Sequence, residues 1–165
     1  MRGVQIRTPE AALNTMVDRL SVNHVPVMTG GVGRKQLIHF YDRYFIPQMP
    51  PDTQITPVSR TIGQDRLVDE FVMKFTHSLQ MDWLLPGVPP TNKPVEVAIV
   101  TVIQFQDGKM ASERVSFDQA SILVQLGLLD SQKLPVAGVE AARKVLNDEL
   151  PSNDLMKRAL GDKDL

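Results

Sequence analysis

The sequence predicts an α+β fold, and three observations carry that prediction. Apolar residues recur at helical spacing near both ends of the chain. Between them, from Thr53 to Asp118, the period changes to two. Asp107-Gly108, the strongest hairpin signal in the chain, joins the last two alternating runs. Helices segregated from strands in this way indicate an antiparallel sheet rather than a parallel α/β one. Helices on one face of a strongly curved sheet would enclose a cavity.

Each element has its own reason. Thr8-Pro9-Glu10 reads as a helix start: threonine caps, proline suits the first helical position, and the acid meets the positive end of the helix. Leu13, Met16, Val17 and Leu20 continue it at helical spacing. Ser21 to Gly33 reads as a loop. A second helix is expected over Arg34–Phe45, with Leu37, Ile38, Tyr41, Tyr44 and Phe45 as its buried stripe and Pro47 as its end. Thr53 to Ile62 reads as a strand that Pro57 pushes toward an edge or a bulge. Arg66 to Trp83 reads as one long strand. Leu84 to Pro94 holds four prolines and a glycine, which makes it a stiff loop. Val95, Val97, Ile99, Thr101, Ile103 and Phe105 share a face of the next strand, and Lys109 to Asp118 is its hairpin partner. Ala120–Leu129 and Val136–Leu146 are expected helices. The fold occupies residues 1–150 as one domain, followed by a charged tail, 151–165.

Composition narrows the function classes. The 165 residues carry 18 basic and 19 acidic side chains, a formal net charge of −1. That balance offers no case for nucleic acid or an acidic membrane surface. The absence of cysteine removes disulfides, thiolate metal sites and a cysteine nucleophile. No apolar run approaches the roughly 20 residues that span a bilayer, and the start lacks the pattern of a signal peptide. A cytoplasmic protein is the expectation.

The chemistry-bearing residues are few. Thr29-Gly30-Gly31-Val32-Gly33 precedes a helix but is neither a dinucleotide fingerprint nor a phosphate loop; it reads as a flexible helix entry. His24, His39 and His77 show no paired ligand spacing, so neither a metal nor a cofactor is expected. His77 shares strand parity with Phe71, Met73 and Phe75 and reads first as a core histidine. His24 lies in a loop, where ligand contact and simple loop bonding weigh equally. Asp118 shares a face with Ser116, Arg114 and Ser112, while Glu113, Val115 and Phe117 point the other way unless a bulge intervenes. Spacing alone makes Asp118 a helix cap. It becomes a general acid/base if its face lines a cavity.

Several segments together resemble one family. Phe75-Thr76-His77, then Gly87-Val88-Pro89-Pro90-Thr91-Asn92-Lys93 and Val95-Glu96-Val97, resemble the "THxG…GxPPTGK" hairpin of SnoaL-like polyketide cyclases. Asp107-Gly108-Lys109, Glu113, Asp118 and Gln125-Leu126-Gly127 resemble that family's "DGKI…E…D…QLG" ending. The likeness runs from about Asn23 to Leu129. It departs at Ser78 and at Asn92, which replaces the usual glycine. A subgroup often labelled carboxymethylenebutenolidase is similar around MTGGVG, MDWLLPGVPPT and DQASILVQLGLLD. Its members carry His and Tyr where this chain has Arg114 and Ser116, which marks divergence or an engineered pocket.

The resemblance implies a cone-shaped nuclear-transport-factor-2-like fold, with N-terminal helices closing a curved antiparallel sheet over a blind apolar pocket. It implies cofactor-independent chemistry in which Asp118 moves a proton next to a carbonyl, while His77 and a polar group near His24 orient the substrate. The expected function is an isomerase or cyclase of an apolar, polyketide- or terpenoid-like carbonyl metabolite. The rivals are a hydrolase of an epoxide, ester or lactone, and a non-catalytic dimeric module that binds a small apolar molecule. Asp118 and His77 are the expected catalytic residues. His24, Arg114, Ser116, Trp83 and Met81 are the expected substrate contacts, with loops Asn23–Gly31 and Leu84–Pro94 framing the opening. A homodimer through the sheet is expected, because Val72, Ala98, Val100 and Val102 make its outer face apolar.

Overall fold

The computed structural model describes residues 16–162. The strands are β1 (Met16–His24), β2 (Thr29–Val32), β3 (Gln54–Ile62), β4 (Arg66–Thr76), β5 (Pro94–Gln106) and β6 (Lys109–Phe117). The helices are α1 (Gly33–Phe40), α2 (Gln119–Leu126), α3 (Val139–Leu146) and α4 (Asp154–Leu160), with a π-helical turn, Tyr41–Phe45, continuing α1. One curved, unclosed sheet runs in the order β2-β1-β6-β5-β4-β3. The segment β3 to β6 is an antiparallel meander, as the alternation predicts. β1 joins the other side of β6 in parallel, so the sheet is mixed.

The first expected helix needs correction where it can be seen. Its start lies outside the described residues, but Met16 to Leu20 are strand. From Leu20 onward the buried positions alternate as Leu20, Val22 and His24, a period of two. The expected loop after Ser21 holds the β1–β2 hairpin instead. Gly30 is obligatory there: its φ is +133°, and a Cβ would lie 2.0 Å from the Val22 carbonyl oxygen. The long strand expected to Trp83 ends at Thr76, and Met81 to Leu85 form buried turns. Pro57 sits on the edge strand β3, beside an extra residue, Val58, between the Pro57–Phe71 and Ser59–Glu70 pairs.

The core lies between the inner face of the sheet and the first helical segment. Met73, Phe75, Val95, Val97, Ile99 and Val115 face Leu37, Phe40 and Tyr41, with Met81, Trp83, Leu84 and Leu85 closing the side. The wider π turn keeps Tyr41 and Phe45 in ring contact at 5.5 Å and leaves Tyr44 exposed, so Phe40 replaces Tyr44 in the expected stripe. α2 extends the sheet by proxy. Gln125 accepts from the Glu96 amide and donates to its carbonyl, both at 2.9 Å, where β6 has already ended.

The outer face is not bare. α3 packs across β5 and β4, and Arg143 reaches Glu96 at 2.9 Å, while Lys74 meets the same carboxyl at 3.0 Å. Val72, counted among the apolar residues that would pair two chains, is fully buried. Val100 and Val102 stay only partly covered. Among the described residues no helix is long and apolar enough to cross a membrane.

Candidate functional site

A single β-bulge decides which side chains of β6 face the core side of the sheet. A two-residue hairpin at Asp107-Gly108, both at positive φ, pairs Gln106 with Lys109 and Phe105 with Met110. Continued without interruption, that register would set Arg114 opposite Thr101, Ser116 opposite Ile99 and Asp118 opposite Val97, all on the core side. The register instead slips between Gln104 and Phe105, where Ala111 is the extra residue. Beyond it Glu113 faces Ile103, Val115 faces Thr101 and Phe117 faces Ile99. Because side chains alternate, the slip exchanges the two faces of β6 completely.

Arg114, Ser116 and Asp118 are consequently exposed. Asp118 serves as the N-cap of α2, its carboxylate accepting from the Ser121 amide at 3.0 Å. The spacing-only reading of this residue matches its geometry, and the concave face that its proton-transfer role requires belongs to its neighbours. Arg114 and Ser116, expected at the substrate, look outward for the same reason.

The inner face carries a different acid. Glu113 is only partly exposed, and burial pushes its carboxyl above the usual carboxylate range. Tyr41, on the π turn, lies within reach of its charge. Burial first, and the Glu113 charge second, raise the Tyr41 phenol above its ordinary value. Sequence reasoning missed this pair. The usable signals were the apolar β5 face and the position of Tyr41 on the α1 stripe; the bulge that connects them leaves no composition mark.

His24 joins the same face. It is the last residue of β1, not a loop residue, and it lies opposite Val115 while Val22 lies opposite Glu113. Two positions along adjacent strands separate the His24 and Glu113 Cα atoms by about 8 Å. Phe40, Phe45 and Trp83 surround the imidazole with ring centres 5.6, 6.0 and 5.6 Å away. Burial in this cage lowers its pKa to about 4, so the ring is neutral at pH 7. Trp83 thus lines the His24 cage, whereas Met81 is fully buried and bonds through its carbonyl to Leu84 and Leu85.

His77 stands apart. It follows β4 at the end where Phe75 pairs with Val95, eight residues along β5 from the Ile103–Glu113 pair. Its backbone amide bonds to Lys93, its carbonyl accepts from Thr91 and Asn92, and Nδ1 lies 3.2 Å from Thr91 Oγ1. His77 therefore stitches the stiff loop to the sheet. Its Nε2 is buried without a hydrogen-bond partner among the described residues, and burial lowers its pKa. The structure brings His24 and Trp83 together with Glu113's face and separates His77 from them.

Among the described residues no cluster of three His, Asp or Glu side chains is placed to hold a metal. A groove of about 920 Å³ between α3 and the tail, lined by Val139, Val145, Leu150 and Met156, shares no residue with the inner face. What the inner face offers is a carboxyl, a phenol and a neutral imidazole in apolar surroundings. Those groups can accept and donate protons without a metal.

Comparison with known proteins places this architecture. A protein assigned as a SnoaL-like polyketide cyclase from Jannaschia sp. CCS1 superposes with a TM-score of 0.56 and 20% identity, over 74% of this chain and 80% of that one. A ketosteroid isomerase-like fold from Catenulispora acidiphila gives 0.54 and 18%, over 74% and 85%. A protein assigned as a polyketide cyclase from Streptomyces antibioticus gives 0.51 and 21%, over 72% and 86%. At these identities the likeness establishes the fold. No curated protein matches the sequence, and nothing supports the carboxymethylenebutenolidase subgroup in particular. The model of the SnoaL-like domain matches residues 4–113, from the N-terminal segment through Glu113, and the chain belongs to that family.

Proposed function

We propose that this protein is a cofactor-independent acid/base isomerase or cyclase of an apolar carbonyl compound, with Glu113 as its proton-transfer residue in place of Asp118. The observation that carries the reading is the Glu113 carboxyl, on the inner face of the sheet and raised by burial, with the Tyr41 phenol near enough to feel its charge. A base works best when its pKa approaches the working pH, and a carboxyl reaches that range by desolvation. The structures assigned as polyketide cyclases are consistent with such chemistry in this fold.

The step balances without a further reactant. The Glu113 carboxylate takes a proton from the carbon next to the carbonyl. The C–H electron pair moves into the enolate, whose oxygen receives a hydrogen bond from Tyr41. Tyr41 keeps its proton, because its raised pKa makes it a donor of a hydrogen bond rather than an acid. In an isomerase Glu113 returns the proton to a different carbon. In a cyclase the enolate carbon bonds to a second carbonyl of the same molecule, and Glu113 protonates the new alkoxide.

The test is exchange of α-hydrogens for deuterium in D2O, followed by NMR over a panel of apolar ketones and 1,3-dicarbonyl compounds. Wild-type protein should catalyse exchange of a subset, and Glu113→Gln should not. Equal exchange by the two proteins would end the proposal. Loss of exchange in a folded Asp118→Asn protein would return the role to the cap residue.

A further inference from the structure

Among the described residues, His24 is held at Nδ1 by a relay whose direction is fixed by chemistry. Thr29 opens β2 directly across the hairpin from His24. Its hydroxyl oxygen lies 2.6 Å from the Trp83 carbonyl and 3.0 Å from His24 Nδ1. A carbonyl has no proton to give, so the single hydroxyl proton of Thr29 goes to Trp83. The hydroxyl can then only accept from His24, and Nδ1 must carry the ring's proton. In a neutral imidazole the other nitrogen, Nε2, is left with the lone pair.

Three elements converge to make this arrangement rigid. The turn Val25–Met28 folds back on β1, with the Met28 amide donating to the His24 carbonyl at 2.8 Å. The Trp83 ring touches His24 and lies 4.9 Å from Phe45. His24 itself is 4% exposed. Aromatic walls exclude competing water, which strengthens whatever hydrogen bond the lone pair accepts.

We propose that Thr29 is a positioning residue: it holds His24 in the Nδ1–H tautomer and so makes Nε2 the acceptor offered to a hydroxyl or enol group of a ligand at the inner face of the sheet. The proposal rests on the reading of that face as the reaction site. It names a feature of the ligand, a hydrogen-bond donor on an otherwise apolar molecule.

Nitrogen-15 NMR of histidine-labelled protein reads the tautomer without substrate. In the wild type, His24 should show a protonated Nδ1 and a bare Nε2; the opposite pattern, or an even mixture, overturns the proposal. Thr29→Ser should preserve the pattern, because the hydroxyl is retained. Thr29→Val keeps the shape and loses the relay, so the single tautomer should be lost; an unchanged spectrum overturns the proposal. If Thr29→Val fails to fold, the wild-type and Thr29→Ser spectra still decide. 2-Naphthol, an apolar hydroxyl donor, should move the Nε2 resonance as it binds. Saturable binding that leaves that resonance unmoved overturns the ligand half. Because these readouts need no turnover, a failed exchange assay leaves the tautomer result standing, and a wrong tautomer leaves the Glu113 assay standing.

Discussion

On the inner face of β6, Glu113, Val115 and Phe117 meet the apolar residues of β5; on its outer face Arg114 and Ser116, and Asp118 just beyond, meet water. The two sets interleave along one strand and end in two carboxyl groups five residues apart. One is desolvated by burial and raised. The other caps a helix in contact with solvent. The difference teaches that a residue type confers no acid/base role by itself. Burial in low-dielectric surroundings does, and on a strand that burial is set by parity.

The harshest way to break the comparison is Val115→Arg, which sets a guanidinium opposite Thr101 on the buried inner face. An unpaired buried charge costs about 3–5 kcal/mol. Chemical denaturation should show at least that loss, or no cooperative transition. Deleting Ala111 should do far less, because Ser112 then follows Met110 and every pair from Gln104–Ser112 onward is kept. Wild-type stability in Val115→Arg would mean that this face is not buried.

Glu113→Gln sharpens it. General acid–base groups typically supply about 100- to 10,000-fold, and the exchange rate should fall in that range. The fold should not suffer. In the wild type the folded pKa of Glu113 lies above its unfolded value, so the native state keeps a proton that the unfolded chain has released. Stability is therefore highest below the unfolded pKa and declines as pH rises through the folded one. Glu113→Gln should lack that decline. Lost exchange together with retained or improved stability above neutral pH separates a missing base from a damaged protein.

His24 tests the same face with the opposite sign. Its pKa falls from 6.5 to about 4 on folding. Between those values the unfolded chain binds a proton that the native one does not. Stability should be full above pH 6.5 and drop by about 3 kcal/mol as pH falls to 4. His77 is also lowered by burial, so the measurement is the difference between wild type and His24→Gln in urea titrations across that window. Identical slopes would show that His24 is solvated in the native state.

The smallest effects belong to the outer face. Asp118→Asn caps as well as aspartate and should shift stability by less than about 0.5 kcal/mol, with exchange within about twofold of wild type. Asp118→Ala should cost about 1 kcal/mol by thermal unfolding, through loss of the bond to the Ser121 amide.

Much of the fold was legible because strands announce themselves locally. The β5 alternation, the Asp107-Gly108 turn and the proline beside the edge bulge all act within a few residues. Helical spacing misled at Met16, Val17 and Leu20, since three apolar residues in five fit both periods. β1 became a strand because β6 offered it an unpaired edge, a contact about ninety residues away that no local window contains. Site reading suffered in the same way. His24 and Trp83 were singled out, but their meeting depends on the π turn and the Met81–Leu85 turns arriving together.

By itself the sequence determined the α+β class, the meander from β3 to β6, the cap at Asp118 and the alternation that puts Glu113 and Asp118 on opposite faces. These follow from backbone sterics and side-chain period, which act at short range. Only the tertiary structure decided which of those faces is concave. One unpaired residue at Ala111 is invisible in composition, yet it changes the partner of every side chain after it, and the choice between the two registers is made by the burial of Val115 and Phe117 against β5.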